Sequence, residues 1–221
     1  MTGLTTVLAS ASPARLSVLR AAGIDPVVFV SGVDEPAVEA AHASAGPAGV
    51  VTALARAKAD AVLPAVAAVH PDAVVIGCDS MLLMNGRLRG KPADAVQVRR
   101  EWAEMAGGTG DLLTGHAVVV LRDGQVVARS ADHRSTTIRF GSPTPAEIEA
   151  YLATGEPLLV AGGLTIDGYG GWFVEGLDGD SSSVIGISLP LTRRLLADVG
   201  IAVVDLWRPA PTTEPPVQEG P

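Results

Sequence analysis

Apolar residues change their period several times along the chain, and each change marks an element. Thr5 to Ala9 is a short β-branched and apolar run, the mark of a buried strand. Ser12-Pro13 follows, a hydroxyl N-cap with proline at the first helical position. Leu16 and Leu19 keep helical spacing until Gly23 ends the element. Val27 to Val30 predicts a second strand leading into "SGVDEP", and Val50 to Leu63 an alanine-rich helix carrying Arg56 and Lys58. Ala73 to Gly77 is a continuous apolar strand, which sets "CDS" just past its end. Asn85-Gly86 predicts a two-residue hairpin turn, and Asp94 to Met105 a helix with Val96, Trp102 and Met105 turned inward.

The second half opens with "GHAVVVLRDGQVVARSADHRSTTIRF", which predicts two or three antiparallel strands with a hairpin at Asp123-Gly124. Thr144 to Glu156 has a capping threonine, a proline next to it and a glycine stop, and predicts a helix. Gly162 to Gly186 is rich in glycine and serine, the composition of a functional loop region. Leu189 to Val199 predicts a last helix and Ile201 to Leu206 a last strand. Strands alternating with helices, mixed with hairpins, indicate an α/β fold with a mixed, twisted sheet flanked by helices. Residues 1–207 form one domain on this reading, and 208–221 a proline-rich tail without apolar pattern, of the disordered type.

At 221 residues and 48% hydrophobic, the chain suits one core or two small lobes around it. The net charge of −8 argues against a general nucleic-acid or membrane-surface binder, while leaving room for a local cationic pocket. A single cysteine, Cys78, rules out an intramolecular disulfide, and no run nears the roughly 18 apolar residues of a membrane span. With no leader at the start, a soluble, cytoplasmic protein is expected. Only two lysines occur, Lys58 and Lys91, in a chain otherwise given to arginine. Either they are remnants of compositional drift, or those positions need a compact ammonium that the arginine fork does not imitate.

Several groups have the chemistry of an anion site. In α/β folds ligands sit beyond the carboxyl ends of the strands, where a helix N-terminus offers free N–H groups. Ser10, Ser12 and Arg15 add two hydroxyls and a bidentate fork there, although a plain capped helix with Arg15 in solvent needs the same residues. Asp79, at a strand end with no helix after it, is placed to act as a general base or to hold a divalent metal. Asp34 and Glu35 could join it, and Lys91 lies in the rigid "GKP" turn. There is no Walker A, G-x-G-x-x-G, C-x-x-C, H-E-x-x-H or G-x-S-x-G pattern, and the four histidines form no metal spacing. Cys78, in an apolar strand, is poorly placed for a nucleophile.

Taken in order, "LASASPAR", "VDE", "ALARAKA", "VIGCDS", "GKPADA" and "GGWFVEGLDGDSSSVIGISLPLTRRLL" resemble the Maf family of nucleoside triphosphate pyrophosphatases, over nearly the whole chain. The resemblance implies a mixed α/β fold with an elongated sheet, a cleft between two lobes, and often a homodimer. It implies hydrolysis of nucleoside triphosphates to the monophosphate and pyrophosphate with Mg²⁺ or Mn²⁺. It makes Asp79 the proton acceptor, gives Ser10, Ser12 and Arg15 to the phosphate motif, matches Glu35 to the acid of a D-E pair and a metal ligand beside Asp79, and puts Lys58 and Lys91 on the two motif lysines. Ser80 and Asp167 fall where the family sets base choice. Ala14 replaces the motif's first arginine, Val160 a lysine, and Asp167 a glutamine. A carboxylate only accepts hydrogen bonds where glutamine also donates, so the family's base preference is not carried over. The readings left beside this one are a nucleotide-binding regulator of cell division with little turnover, and a phosphomonoesterase or sugar-nucleotide hydrolase.

Overall fold

The computed structural model describes residues 3–208, so the tail expected over 208–221 lies, past Arg208, outside the described residues. In chain order the elements are β1 (Thr5–Leu8), α1 (Pro13–Ala21), β2 (Val27–Val28), α2 (Glu35–His42), α3 (Gly46–Val69), β3 (Ala73–Met84), β4 (Arg87–Arg89), α4 (Ala95–Met105), β5 (Thr109–Arg122), β6 (Gln125–Phe140), α5 (Pro145–Ala153), β7 (Val174–Asp178), α6 (Ser181–Ile185) and α7 (Leu189–Asp198). The strands form one mixed seven-stranded sheet in the order β2-β1-β3-β5-β6-β7, with β4 paired to β3. The expected α/β class with a helix-flanked mixed sheet is thus what the chain forms.

Three long antiparallel strands, β3, β5 and β6, are the spine. At one end β1 pairs parallel to β3, and this half is sandwiched between two apolar layers. Leu8, Ile76, Cys78, Val118 and Val120 meet Leu19 of α1 and Leu191, Leu195 and Leu196 of α7 on one face. Val7, Val75, Ala117 and Val119 meet Ala55, Ala59, Val62 and Val66 of α3 on the other. At the far end a separate core gathers Leu82, Leu112, Ile138 and Phe140 against Val98, Trp102 and Met105 of α4 and Ile148 and Tyr151 of α5. Two lobes therefore share one set of strands.

Local chemistry explains the boundaries. Ser12 caps α1, its Oγ accepting from the Arg15 N–H at 3.4 Å, and Thr144 and Glu147 close a reciprocal capping box on α5. Both two-residue hairpins have positive φ at both central residues, Asn85 and Gly86 (51° and 73°) and Asp123 and Gly124 (50° and 74°), as type I′ turns require.

Four expectations are corrected. The strand expected to stop at Gly77 runs on to Met84, because β5 pairs with it all the way from Ala73 to Leu83; Asp79 lies inside a strand and not beyond one. Val96 is 70% exposed, and Val98 and Glu101 share the inward face of α4 with Trp102 and Met105. Ile201 to Leu206 forms no strand: a 3-10 turn spans Val203–Leu206, and the apolar pattern reflects Ile201 and Leu206 packing into the α7 core. The second strand is two residues long and its valines are exposed.

Candidate active site

On its free edge β3 pairs with β1 up to Ile76 and with β4 only from Leu82, so residues 77–81 of that edge have no strand beside them. This gap lies between the two cores, and it carries Asp79 toward one face of the sheet and Ser80 toward the other.

On the Asp79 face, α3 crosses the sheet at unusually short range. A Cβ built on Gly77 would stand 2.4 Å from the Ala55 carbonyl oxygen, and one on Gly115, the β5 partner of Asp79, 2.0 Å from that of Val51. The two missing side chains let the helix backbone rest on the strands. That proximity carries Lys58 to Asp79: Nζ lies 2.6 Å from Asp79 Oδ1 and 2.7 Å from Glu35 Oε1. Lys58 and Asp79 are buried, with side chains 11% and 8% exposed, while Glu35 is half exposed. Glu35 opens α2, and Asp34 does not join it at the site; it caps the helix, accepting from the Ala37 N–H at 3.1 Å. Glu39, one turn after Glu35, belongs to the same acidic group. Partial burial, and then the carboxylates of Asp79 and Glu35, raise its acid above the ordinary value, against the pull of Lys58. Asp79 Oδ2 and Glu35 Oε2 make no hydrogen bond to the described residues.

The opposite face is built on Arg15. Its Nε–H donates to Gly186 O (2.9 Å), Nη1 to Ser10 Oγ (3.1 Å) and Cys78 O (2.8 Å), and Nη2 to Ser80 Oγ (3.2 Å). Ser80 Oγ also lies 3.0 Å from Thr114 Oγ1, which donates to Ser183 O at 3.0 Å. Ser10 is buried and its Oγ accepts from the Ser12 N–H as well. Ser10, Ser12, Arg15 and Ser80 are thus brought together, as Lys58, Glu35 and Asp79 are across the sheet.

Lys91 and Asp167 stand apart. Lys91 is exposed and in no ion pair with the described residues; the turn before it is held by the Gly162 N–H donating to Gly90 O at 2.9 Å. Asp167 is exposed at the top of an arch with both feet on one carboxylate: Glu156 accepts from Thr165 Oγ1, from the Tyr169 N–H (3.0 Å) and from the Gly170 N–H (3.0 Å). The Trp102 indole N–H ties the same segment down at Gly163 O, 3.1 Å away.

Cys78 is fully buried, and burial pushes its thiol up to about 12, which removes it as a nucleophile. His116, also buried, is structural: Nε2 accepts from the Ser188 N–H at 2.8 Å, so Nδ1 carries the proton and donates to Thr114 O. Thr114, His116 and Glu39 were not singled out from sequence; only Glu39 left a signal there, its i+4 spacing from Glu35.

A mixed sheet carrying a largely buried lysine between two carboxylates on one face and a guanidinium–hydroxyl wall on the other, at a strand-edge gap, defines an α/β protein with two cores on one set of strands and a polar site between them. The family model for Maf-like protein matches residues 5–199, and the chain belongs to that family. Among its relatives is a nucleoside triphosphate pyrophosphatase of Saccharopolyspora erythraea, 66% identical over 92% of this chain and 97% of its own length. Proteins of the same name from Rhodococcus opacus (60% identical, 91% and 95% covered) and Mycobacterium ulcerans (51%, 93% and 97%) are also similar throughout.

Proposed function

We propose that this protein is a nucleoside triphosphate pyrophosphatase that cleaves the anhydride between the α- and β-phosphates and releases pyrophosphate. The observation that carries the reading is the buried Asp79, one oxygen held by Lys58 and the other without a partner among the described residues. Held so, Asp79 accepts the proton of an attacking water. Lys58 and Lys91 offset the charge of the triphosphate, and the Ser10 and Ser12 hydroxyls, with the Ala14 N–H of the first turn of α1, receive it on the other wall. The names of relatives matched over nearly their whole length support this reading.

The donor set suits a hard divalent cation: Asp79 Oδ2 and Glu35 Oε2 are carboxylate oxygens without a partner among the described residues. No three acidic, histidine or cysteine side chains among those residues form a ready-made cage, so the fit is to an ion held by one or two carboxylates and completed by substrate. Bound there, Mg²⁺ or Mn²⁺ would neutralise phosphate charge. No described helix is long and apolar enough to cross a membrane, and with a lone buried cysteine we place the reaction in the cytoplasm.

The test is a panel of normal and modified nucleoside triphosphates with Mg²⁺ or Mn²⁺, read for pyrophosphate. Stoichiometric monophosphate and pyrophosphate are expected. Orthophosphate as the product, or tight binding without release, would replace the proposal with a phosphatase or a nucleotide-binding regulator.

A further inference from the structure

Arg15 has five N–H donors, and the protein takes four of them. Counting hydrogens fixes the direction of the bonds beyond it. Thr114 has one hydroxyl hydrogen, and it goes to the Ser183 carbonyl. Thr114 Oγ1 must therefore accept from Ser80, whose own oxygen accepts from Arg15. The result is a one-way chain, Arg15 to Ser80 to Thr114 to Ser183, which ties the middle of the sheet to the segment that leads into α7. Ser10 Oγ accepts from both Arg15 and the Ser12 N–H, so its hydrogen is left to donate. Gly186 completes the arrangement. It has φ +127°, and a Cβ there would stand 3.1 Å from Arg15 Nε and 3.2 Å from Cγ.

We infer that Arg15 is a positioning residue: it locks the Gly186 segment to the unpaired edge of β3 and sets the hydrogen-bond direction of Ser10 and Ser80, while the Ser10 hydroxyl and the Ala14 N–H meet the anion. This goes beyond the phosphate-ligand role that the motif resemblance implies for Arg15, and its kinetic arm rests on the pyrophosphatase reading. The fork is what matters here, since it reaches four acceptors from one plane, and a lysine ammonium keeps the charge without that geometry.

Arg15→Lys, Arg15→Ala, Gly186→Ala and the Arg15→Ala/Gly186→Ala double variant are assayed for pyrophosphate release, with thermal unfolding on the same preparations. Arg15→Lys should be no better than Arg15→Ala, each losing ~10²-fold in kcat/KM, the scale of a small misplacement of catalytic groups. Gly186→Ala, which adds nothing toward substrate, should lose activity too, and the double variant should be no worse than the poorer single. Inhibition by added pyrophosphate should weaken to the same extent in Arg15→Lys and Arg15→Ala, because both lose the orientation of Ser10. Near-normal turnover in Arg15→Lys, or pyrophosphate inhibition kept in Arg15→Lys and lost in Arg15→Ala with an additive double variant, would make Arg15 a direct phosphate ligand and overturn the inference. Should the unmodified protein release no pyrophosphate, the pyrophosphatase reading fails by itself. The lock is then judged on melting temperatures, where non-additive shifts support it and additive shifts overturn it. Gly186→Ala also strains the backbone at positive φ, and the Arg15→Lys arm is free of that complication.

Discussion

Gly115 and Val51 occupy one space between them: the carbonyl of Val51 lies where a side chain on Gly115 would begin, 2.0 Å from the missing Cβ. Backbone, unlike the end of a flexible side chain, has nowhere to go. Gly115→Ala should therefore lower stability by about 3 kcal/mol through forced overpacking, with Gly77→Ala similar against Ala55. Denaturant midpoints measure this, and a midpoint like that of the unmodified protein would contradict the close approach of α3. Any drop in activity should accompany the drop in stability, because α3 delivers Lys58.

The two lysines should separate cleanly. Lys58→Ala strips a buried carboxylate of its partner and should cost about 3–5 kcal/mol as well as turnover. Lys91→Ala removes an exposed ammonium that pairs with nothing described, so melting should not move while kcat/KM falls by ~10²-fold or more, the scale for one preorganised charge or donor. Thermal unfolding and steady-state kinetics on both variants decide it; a large loss of stability in Lys91→Ala would be the surprise.

Asp79→Asn keeps an acceptor for Lys58 and removes the proton acceptor. The fold should survive, with pyrophosphate release down by at least ~10²–10³-fold. Turnover close to normal would remove Asp79 from the catalytic role proposed for it.

Stability should fall in mild acid through His116. Burial, only partly opposed by its bond to Thr114 O, lowers this imidazole from 6.5 to about 4 in the folded state. An unfolded chain takes up the proton below about 6.5 and the folded one only below about 4. Between those values the unfolded state binds more protons, so stability declines as pH falls, by about 3 kcal/mol across the window. Denaturation curves from pH 7 to 4 should show this slope, and His116→Gln should flatten it.

At the arch, Asp167→Gln restores a donor where the carboxylate has none. The ratio of kcat/KM between nucleotides should change while thermal stability does not, since Asp167 is exposed and the arch hangs from Glu156. An unchanged ranking across the nucleotide panel would take Asp167 out of base selection.

What could be read from the sequence was local. The N-caps at Ser12 and Thr144 and the hairpins at Asn85-Gly86 and Asp123-Gly124 depend on residues within a few positions of one another, and all are found. The ordered motifs placed Asp79, Lys58 and Glu35, which meet within hydrogen-bonding distance. Lys58 could not be oriented in advance, because α3 is apolar or alanine on most faces and its direction is set by two glycines on other elements. Gly77 read as a strand end for the same reason: the absence of a side chain serves a helix that crosses there. Thr114 and His116 act through partners about 70 residues away, Ser183 and Ser188, and no local pattern carries that.

The long strands of the spine have a mechanical consequence. Since β3, β5 and β6 pass paired from one core to the other, the frame that carries Asp79 has no hinge in it. Swinging one lobe toward the other would bend a fully hydrogen-bonded ribbon at its centre, beside Asp79. A ligand bound beside Asp79 would therefore meet a frame that does not close on it. Adjustment is left to the parts hung from the frame, the Glu156 arch and the Gly186 segment, so selectivity should evolve fastest where the chain is tied by a few hydrogen bonds and slowest where it is woven.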